Sequence, residues 1–230
     1  MRIPITRLGL PQVVIYPCLC LLLMLLAIVT LLFSVGLFCF IEVVLAIVLT
    51  WLLSFFRDPK RDIPTGSNLI LSPADGTIAD IEVVDEPNFM NGPATRIGIF
   101  LSIFNVHINR APCAVKIENI TYRKGGFINA MDSNCGKINE SNNLSMVRLN
   151  EPTEKIYVRQ ISGAIARRIV CDAQQGQEFT GGEIFGMIKF GSRTELYLPA
   201  DSAAKILVKK GDKVKAGITI LAKYDRATNK

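Results

Sequence analysis

Hydrophobic positions fall along this chain in two textures. From residue 13 to residue 56 they run almost unbroken, 44 residues with a single carboxylate, Glu42. One bilayer crossing takes ~20 apolar residues, so the run is long enough for about two. Ser34-Val35-Gly36 near its middle is the natural turn, and the pattern predicts a helical hairpin in the membrane. A monotopic or re-entrant insertion is the alternative the same pattern allows. The run exceeds the apolar core of a cleaved signal peptide and no small-residue cleavage site follows it, so it is expected to stay on the protein. Arg2 and Arg7 precede it, while Arg57, Lys60 and Arg61 follow. Positive flanks favour the cytoplasmic side, which a hairpin satisfies at both ends and a single span does not. A carboxylate at mid-membrane depth costs a few kcal/mol, less near the hairpin tip or against the partner helix.

After Arg57-Asp58-Pro59 short apolar runs alternate with Gly, Pro, Asn and Asp. Strands are predicted at 69–71, 76–81, 97–101, 156–158 and 205–208. Past residue 60 only 161–169 has any helical character, one or two turns at most. The organisation expected is a membrane-associated segment, residues 1–62, and one compact, mainly β (α+β) domain, residues 63–230. Gly176-Gln177-Glu178-Phe179-Thr180-Gly181-Gly182 recurs as Gly211-Asp212-Lys213-Val214-Lys215-Ala216-Gly217. Each copy has glycine at both ends, one apolar residue between and an apolar strand after it. The second copy resembles the hairpin turns of lipoyl- and biotinyl-type domains, so a lipoyl-like β-sandwich or barrel is expected.

The net charge of +6, with pairs at Arg123-Lys124, Arg167-Arg168 and Lys209-Lys210, suits a domain working beside anionic headgroups. No nucleic-acid-binding motif accompanies the charge. Six cysteines are scattered without a C-x-x-C, which fits a reducing compartment and again the cytoplasmic face of the inner membrane. Phe89 and Met90, in a Pro/Asn/Gly loop, are candidates to dip into a lipid interface; an ordinary mobile loop is the simpler reading.

Candidate chemistry sits in Phe190-Gly191-Ser192-Arg193. A serine hydroxyl can attack the preceding carbonyl, turning the peptide bond into an ester whose elimination and hydrolysis leave a pyruvoyl group. Glycine at 191 tolerates strained backbone and close approach. A Gly-Ser pair alone is most often a turn. Such chemistry needs a base, and His107, in Asn105-Val106-His107-Ile108-Asn109-Arg110-Ala111-Pro112, is the only histidine. A lone histidine is more often structural. An orienting carboxylate could come from Asp75 in Ser72-Pro73-Ala74-Asp75-Gly76, which is equally a plain Asp-Gly turn.

Taken together, 72–76, 105–112, Ala166-Arg167-Arg168-Ile169-Val170, Phe190-Gly191-Ser192-Arg193 and Tyr197-Leu198-Pro199 resemble, in order and spacing, the short bacterial and archaeal form of phosphatidylserine decarboxylase proenzyme. The resemblance covers nearly the whole chain. It implies self-cleavage between Gly191 and Ser192 into a β chain, 1–191, and an α chain, 192–230, that remain together. Asp75, His107 and Ser192 would drive the cut, and Ser192 would become the covalent pyruvoyl cofactor, the electron sink for loss of CO2. No metal is implied. Longer members carry two histidines three apart where this chain has His107 and Arg110, and other members continue Gly-Ser-Thr where this one has Arg193. Arg110 is a candidate contact for the substrate's phosphate or carboxylate. A related serine lipid such as archaetidylserine would be handled by the same groups. A membrane-anchored lipoyl-like adaptor is the non-enzymatic rival, but it would need a long helical hairpin after the anchor.

Overall fold

The protein is described from a computed structural model covering residues 5–132, 134–164, 168–189 and 191–225. Arg2, Phe190 and the middle of the 161–169 stretch lie outside the described residues. The chain divides into two compact units, one ending at Lys60 and one beginning at Arg61.

In the first unit, α1 (Gln12–Ala27) runs on through a short 3-10 segment, Ile28–Leu32, before the chain turns into α2 (Val35–Phe55). Ser34 stops one helix and starts the next: its hydroxyl accepts the Leu37 N–H at 3.3 Å, a side-chain N-cap. The hairpin is therefore observed, with the turn at its expected place. Each arm, Gln12–Leu32 and Val35–Phe55, has 21 residues, about 31 Å of helix and so long enough to cross a bilayer. Cys20 Sγ meets the Leu45 carbonyl at 3.4 Å between the arms, and elsewhere their leucines, valines and isoleucines face outward. A helix apolar all round is stable where its surroundings are apolar. Glu42 lies two turns into α2, about 10 Å from the hairpin turn.

The second unit is built from strands. In chain order they are β1 (Leu69–Leu71), β2 (Gly76–Glu86), β3 (Gly92–Leu101), β4 (Ile108–Arg110), β5 (Val115–Arg123), β6 (Ser141–Arg148) and β7 (Lys155–Ile161). There follow β8 (Arg168–Cys171), β9 (Glu178–Phe179), β10 (Ile184–Lys189), β11 (Ser192–Pro199), β12 (Ala204–Ile206), β13 (Lys213–Val214) and β14 (Ile220–Tyr224). A single helical turn, α3 (Cys135–Ile138), precedes β6. An eight-stranded sheet has the order β13-β2-β3-β11-β7-β6-β5-β9, and two three-stranded sheets have the orders β1-β14-β12 and β4-β10-β8. All three sheets supply one core: Ile97, Ile99, Leu144, Val158 and Leu196 from the large sheet, Ile70 and Leu221 from the second, Phe185 from the third. The mainly β expectation holds. Every strand predicted from sequence is present, and β10 and β14 are the apolar strands expected after the two repeat copies; β4, β5, β6, β8, β9, β11 and β13 complete the large and third sheets without having been foreseen. Residues 161 and 168 belong to strands β7 and β8, not to helical turns.

The internal repeat is real in conformation. Gly176 and Gly182 have φ +81°, Gly211 has +95° and Gly217 +70°, left-handed values that other residues adopt at a cost. Phe179 and Val214 are the buried apolar residues of the two copies, and β10 and β14 follow them.

The Phe89 loop is ordered by its own contacts and by β7. Glu86 accepts the N–H groups of Phe89 and Met90 at 2.8 and 3.0 Å, and the Phe89 ring stacks 6.2 Å from Tyr157. Burial raises the Glu86 carboxyl pKa, but the N–H bonds from Met90 and Phe89, helped by Asn88, outweigh it and hold it below the ordinary 4.5. A depressed carboxylate stabilises the fold fully above its unfolded value and loses that contribution as pH falls through the folded one. Glu86→Gln is expected to cost about 1–2 kcal/mol at neutral pH and to flatten the stability curve below pH ~4.5, read by thermal unfolding.

Candidate active site

β11 lies in the middle of the large sheet, hydrogen-bonded to β3 on one side and β7 on the other, with Ser192 opposite Leu101 and Arg193 opposite Ile161. Its first residue, Ser192, is thus held at a fixed depth. Thr194, Leu196 and Leu198 point to the core face, while Arg193, Glu195 and Tyr197 alternate onto the other. Gly191, immediately before the strand, has φ +64°.

His107 enters the site from the residue preceding β4 and is fully buried. Its Nδ1 lies 3.0 Å from the Asn105 carbonyl, and its Nε2 accepts the Gly191 N–H at 3.1 Å. A carbonyl can only accept and an amide N–H can only donate. Those two partners assign the neutral tautomer, with the proton on Nδ1 and the Nε2 lone pair turned to the Gly191 N–H, one residue before Ser192. Ser192 is likewise buried, and its Oγ has no hydrogen-bond partner among the described residues. The carbonyl that such a hydroxyl would attack lies against Gly163. Gly163 packs so closely on it that a Cβ there would fall 2.3 Å from Gly191 O. Only glycine fits.

What holds His107 in register with β11 is a chain of buried amides that sequence reasoning did not foresee. Asn109, two residues on, donates to Thr194 Oγ1 at 3.1 Å and to Pro73 O at 3.3 Å. Gln160 of β7 donates to Asn109 Oδ1 at 2.8 Å, and Asn142 of β6 donates to Gln160 Oε1 at 3.1 Å. Satisfied buried networks of this kind fix geometry. The available signal was a polar residue at an otherwise apolar strand position, as at Asn109 within Ile108-Asn109-Arg110.

The structure brings His107, Gly191 and Ser192 together; it engages Asp75 elsewhere. The Asp75 carboxylate accepts both of its Arg61 bonds from Nη2, at 3.0 and 2.9 Å, and the Ala216 N–H at 2.8 Å. Its neighbour Gly76 is needed for packing, since a Cβ there would lie 2.2 Å from Phe100 O. Arg110 Nη1 donates to the Gly182 carbonyl at 2.9 Å, between the two repeat turns. Lys189 is buried two residues before Gly191, and burial, then the charge of Arg168, pulls its ammonium pKa down. A cavity of about 230 Å³ opens beside Gly191, walled by Phe100, Ser102, Ile103, Asn129, Ala130 and Ala164.

Comparison with known proteins points the same way. The family model for phosphatidylserine decarboxylase matches residues 48–222, a stretch containing Asp75, His107, Arg110, Gly191 and Ser192. The phosphatidylserine decarboxylase proenzyme of Carboxydothermus hydrogenoformans is 45% identical over 169 residues, covering 74% of this chain and 78% of the relative. That of Desulfotalea psychrophila is 46% identical over 169 residues, with 74% and 77% covered. That of Rhodopirellula baltica is 43% identical over 184 residues, with 80% and 75% covered. A buried Ser192, next to a Gly191 whose N–H meets the His107 imidazole, inside a stretch matched at this identity, leaves one assignment: the chain belongs to the phosphatidylserine decarboxylase family.

Proposed function

We propose that this protein decarboxylates phosphatidylserine to phosphatidylethanolamine after cutting itself between Gly191 and Ser192. The observation that carries the reading is His107 Nε2, 3.1 Å from the N of Gly191, the residue before Ser192, whose buried hydroxyl has no hydrogen-bond partner among the described residues. His107 accepts the hydroxyl proton as Oγ bonds to the Gly191 carbonyl carbon; the C–N bond then breaks and the proton passes to the freed nitrogen. Gly163, having no Cβ, leaves the space that this carbonyl occupies. Loss of the Ser192 α-proton expels residues 1–191 with the ester oxygen as carboxylate, and water then replaces the nitrogen, releasing ammonia. The residues present fit a pyruvoyl group at 192: the hydroxyl it derives from has no partner among the described residues, and the strand behind it is paired on both sides. Such a group supplies the carbonyl electron sink that decarboxylation of an amino acid headgroup requires. His107 remains in place to hold and return a proton.

The two chains, 1–191 and 192–230, stay together as a heterodimer because β11 is interleaved between β3 and β7. The membrane-associated segment, 1–62, anchors the catalytic domain, 63–230, at the cytoplasmic face of the cell membrane, where the phospholipid substrate resides. Arg110 contributes the contact to the substrate's anionic headgroup. Asp75 supports the self-cleavage set. Asp75→Asn is expected to slow maturation, followed as the fraction cut against time. Arg61→Gln breaks the same ion pair yet leaves the carboxylate, so equal slowing by both variants would show a purely structural role. The reading itself is tested by intact mass under denaturing conditions. Two chains meeting at 191/192 are expected, the smaller lighter than its sequence by one ammonia. A single 25.4 kDa chain in an active preparation would overturn it.

A further inference from the structure

The face of β11 opposite the core carries a buried ionic cluster that the reaction as described does not use. Arg193, the residue after Ser192, is 1% exposed. Its Nη2 donates to both oxygens of Asp80 at 2.8 and 2.7 Å, and its Nε donates to Glu195 Oε1 at 2.9 Å. The sheet is shaped for this grip. Asp80, Gly98 and Glu195 stand opposite one another across β2, β3 and β11. The middle position has no side chain, and a Cβ on Gly98 would fall 2.1 Å from the Arg193 Nη2. Asp80 reaches this face only because β2 bulges between Ile78 and Asp80. Without the extra residue its side chain would turn to the core.

Neighbouring groups balance the charge. Arg96 lies 3.2 Å from Asp80 and 2.7 Å from Glu82; Arg159 lies 3.6 Å from Glu195, which also accepts the Tyr197 hydroxyl at 2.6 Å. Burial works against the Arg193 charge, and Glu195 and Asp80 overcome it, leaving the guanidinium pKa above its ordinary value. A buried ionic cluster adds little net stability over an apolar replacement, so its product is position. The position it fixes is that of the atom chain carrying residue 192.

We infer that Arg193, gripped by Asp80 and Glu195, is the positioning residue that keeps the serine-derived terminus in the site once its bond to Gly191 is gone. The inference rests on the self-cleavage reading above. In the uncut chain residue 192 is held from both sides. In the cut chain it is a strand end, and strand ends fray unless tied down. The tie falls on the first residue that still has a side chain, and the forked guanidinium fits two carboxylates where an ammonium cannot.

The test uses the full chain in mixed micelles of phosphatidylserine and nonionic detergent. Arg193→Lys, Asp80→Asn and Asp80→Glu are compared for fraction cut, carbonyl content by hydrazide labelling, and kcat and KM per labelled carbonyl. Arg193→Lys and Asp80→Asn should be cut and labelled like the wild type, yet lose roughly tenfold or more in kcat with KM little changed, while Asp80→Glu recovers most of the loss. Thermal unfolding gives a readout independent of turnover. Asp80→Asn should lower the midpoint of the cut protein by roughly twice as much as that of the uncut Ser192→Ala chain, since only the cut form depends on the tie. Wild-type kcat per carbonyl in the cut variants, or equal midpoint shifts in both forms, would overturn the clamp alone. So would loss of cutting in a folded Arg193→Lys chain, because the cluster would then serve the precursor. Should Arg193→Lys not fold, Asp80→Asn carries the same comparison with the Glu195 bond intact. An active wild type that is never cut would overturn the self-cleavage reading and the clamp together.

Discussion

Ser192→Ala is expected to leave the chain whole at 25.4 kDa and to abolish decarboxylation, a loss of at least about 10³-fold. Both effects follow from one atom. The hydroxyl is the nucleophile for the cut and the source of the oxygen that Gly191 keeps. The substitution should not unfold the protein. Ser192 Oγ has no hydrogen-bond partner among the described residues, so alanine removes a buried polar group that nothing satisfies. Unfolding midpoints of the variant should therefore equal or exceed those of the uncut wild type. Cutting at wild-type speed in Ser192→Ala would remove Ser192 from the chemistry altogether.

His107→Gln comes next in expected size. Glutamine of similar reach can still accept the Gly191 N–H that His107 accepts at 3.1 Å, so the loop is retained, but an amide cannot take up a proton. Maturation is expected to slow by about 10²–10⁴-fold, the usual contribution of a positioned acid–base group, measured as the half-time of the uncut band. Added imidazole should restore part of the rate in a smaller variant, His107→Gly, through the space the ring vacates. The stability cost of His107→Gln should stay near 1 kcal/mol, since a hydrogen bond to Gly191 survives. Unchanged maturation in a folded His107→Gln chain would mean that the base is another group, and buried Lys189, with its lowered pKa, would be the next to substitute.

The two variants also separate the parts of the site. Ser192 is placed by the ladder of β11, which the neighbours Leu101 and Ile161 enforce on either side. His107 is placed by the amide chain through Asn109, Gln160 and Asn142. A change in the amide chain should therefore mimic a weak His107 variant without touching the nucleophile.

The sequence alone determined the elements whose cause is local. An unbroken apolar run makes two helices, and Ser34 breaks them where its hydroxyl caps the second. The glycines of the repeat adopt left-handed turns because only they do so at no steric cost. The candidate junction Gly191-Ser192 and the candidate base His107 were legible as residue types, His107 because it is the only histidine. Other features depend on who lies opposite. β6, which begins Ser141-Asn142-Asn143-Leu144-Ser145, was not among the predicted strands: its polar residues are buried, with partners for Asn142 and Asn143 on the neighbouring β7. Asp75 reads as a partner for the imidazole, yet its carboxylate meets Arg61 and the Ala216 N–H, the latter 141 residues away. Arg193 was legible only as a departure from the Gly-Ser-Thr of other members; a bulge at Asp80 and a missing side chain at Gly98 make it a buried anchor. Local pattern decides whether a segment is helix, strand or turn. Register across strands decides which side chains meet, and that is set by pairing partners far away in sequence.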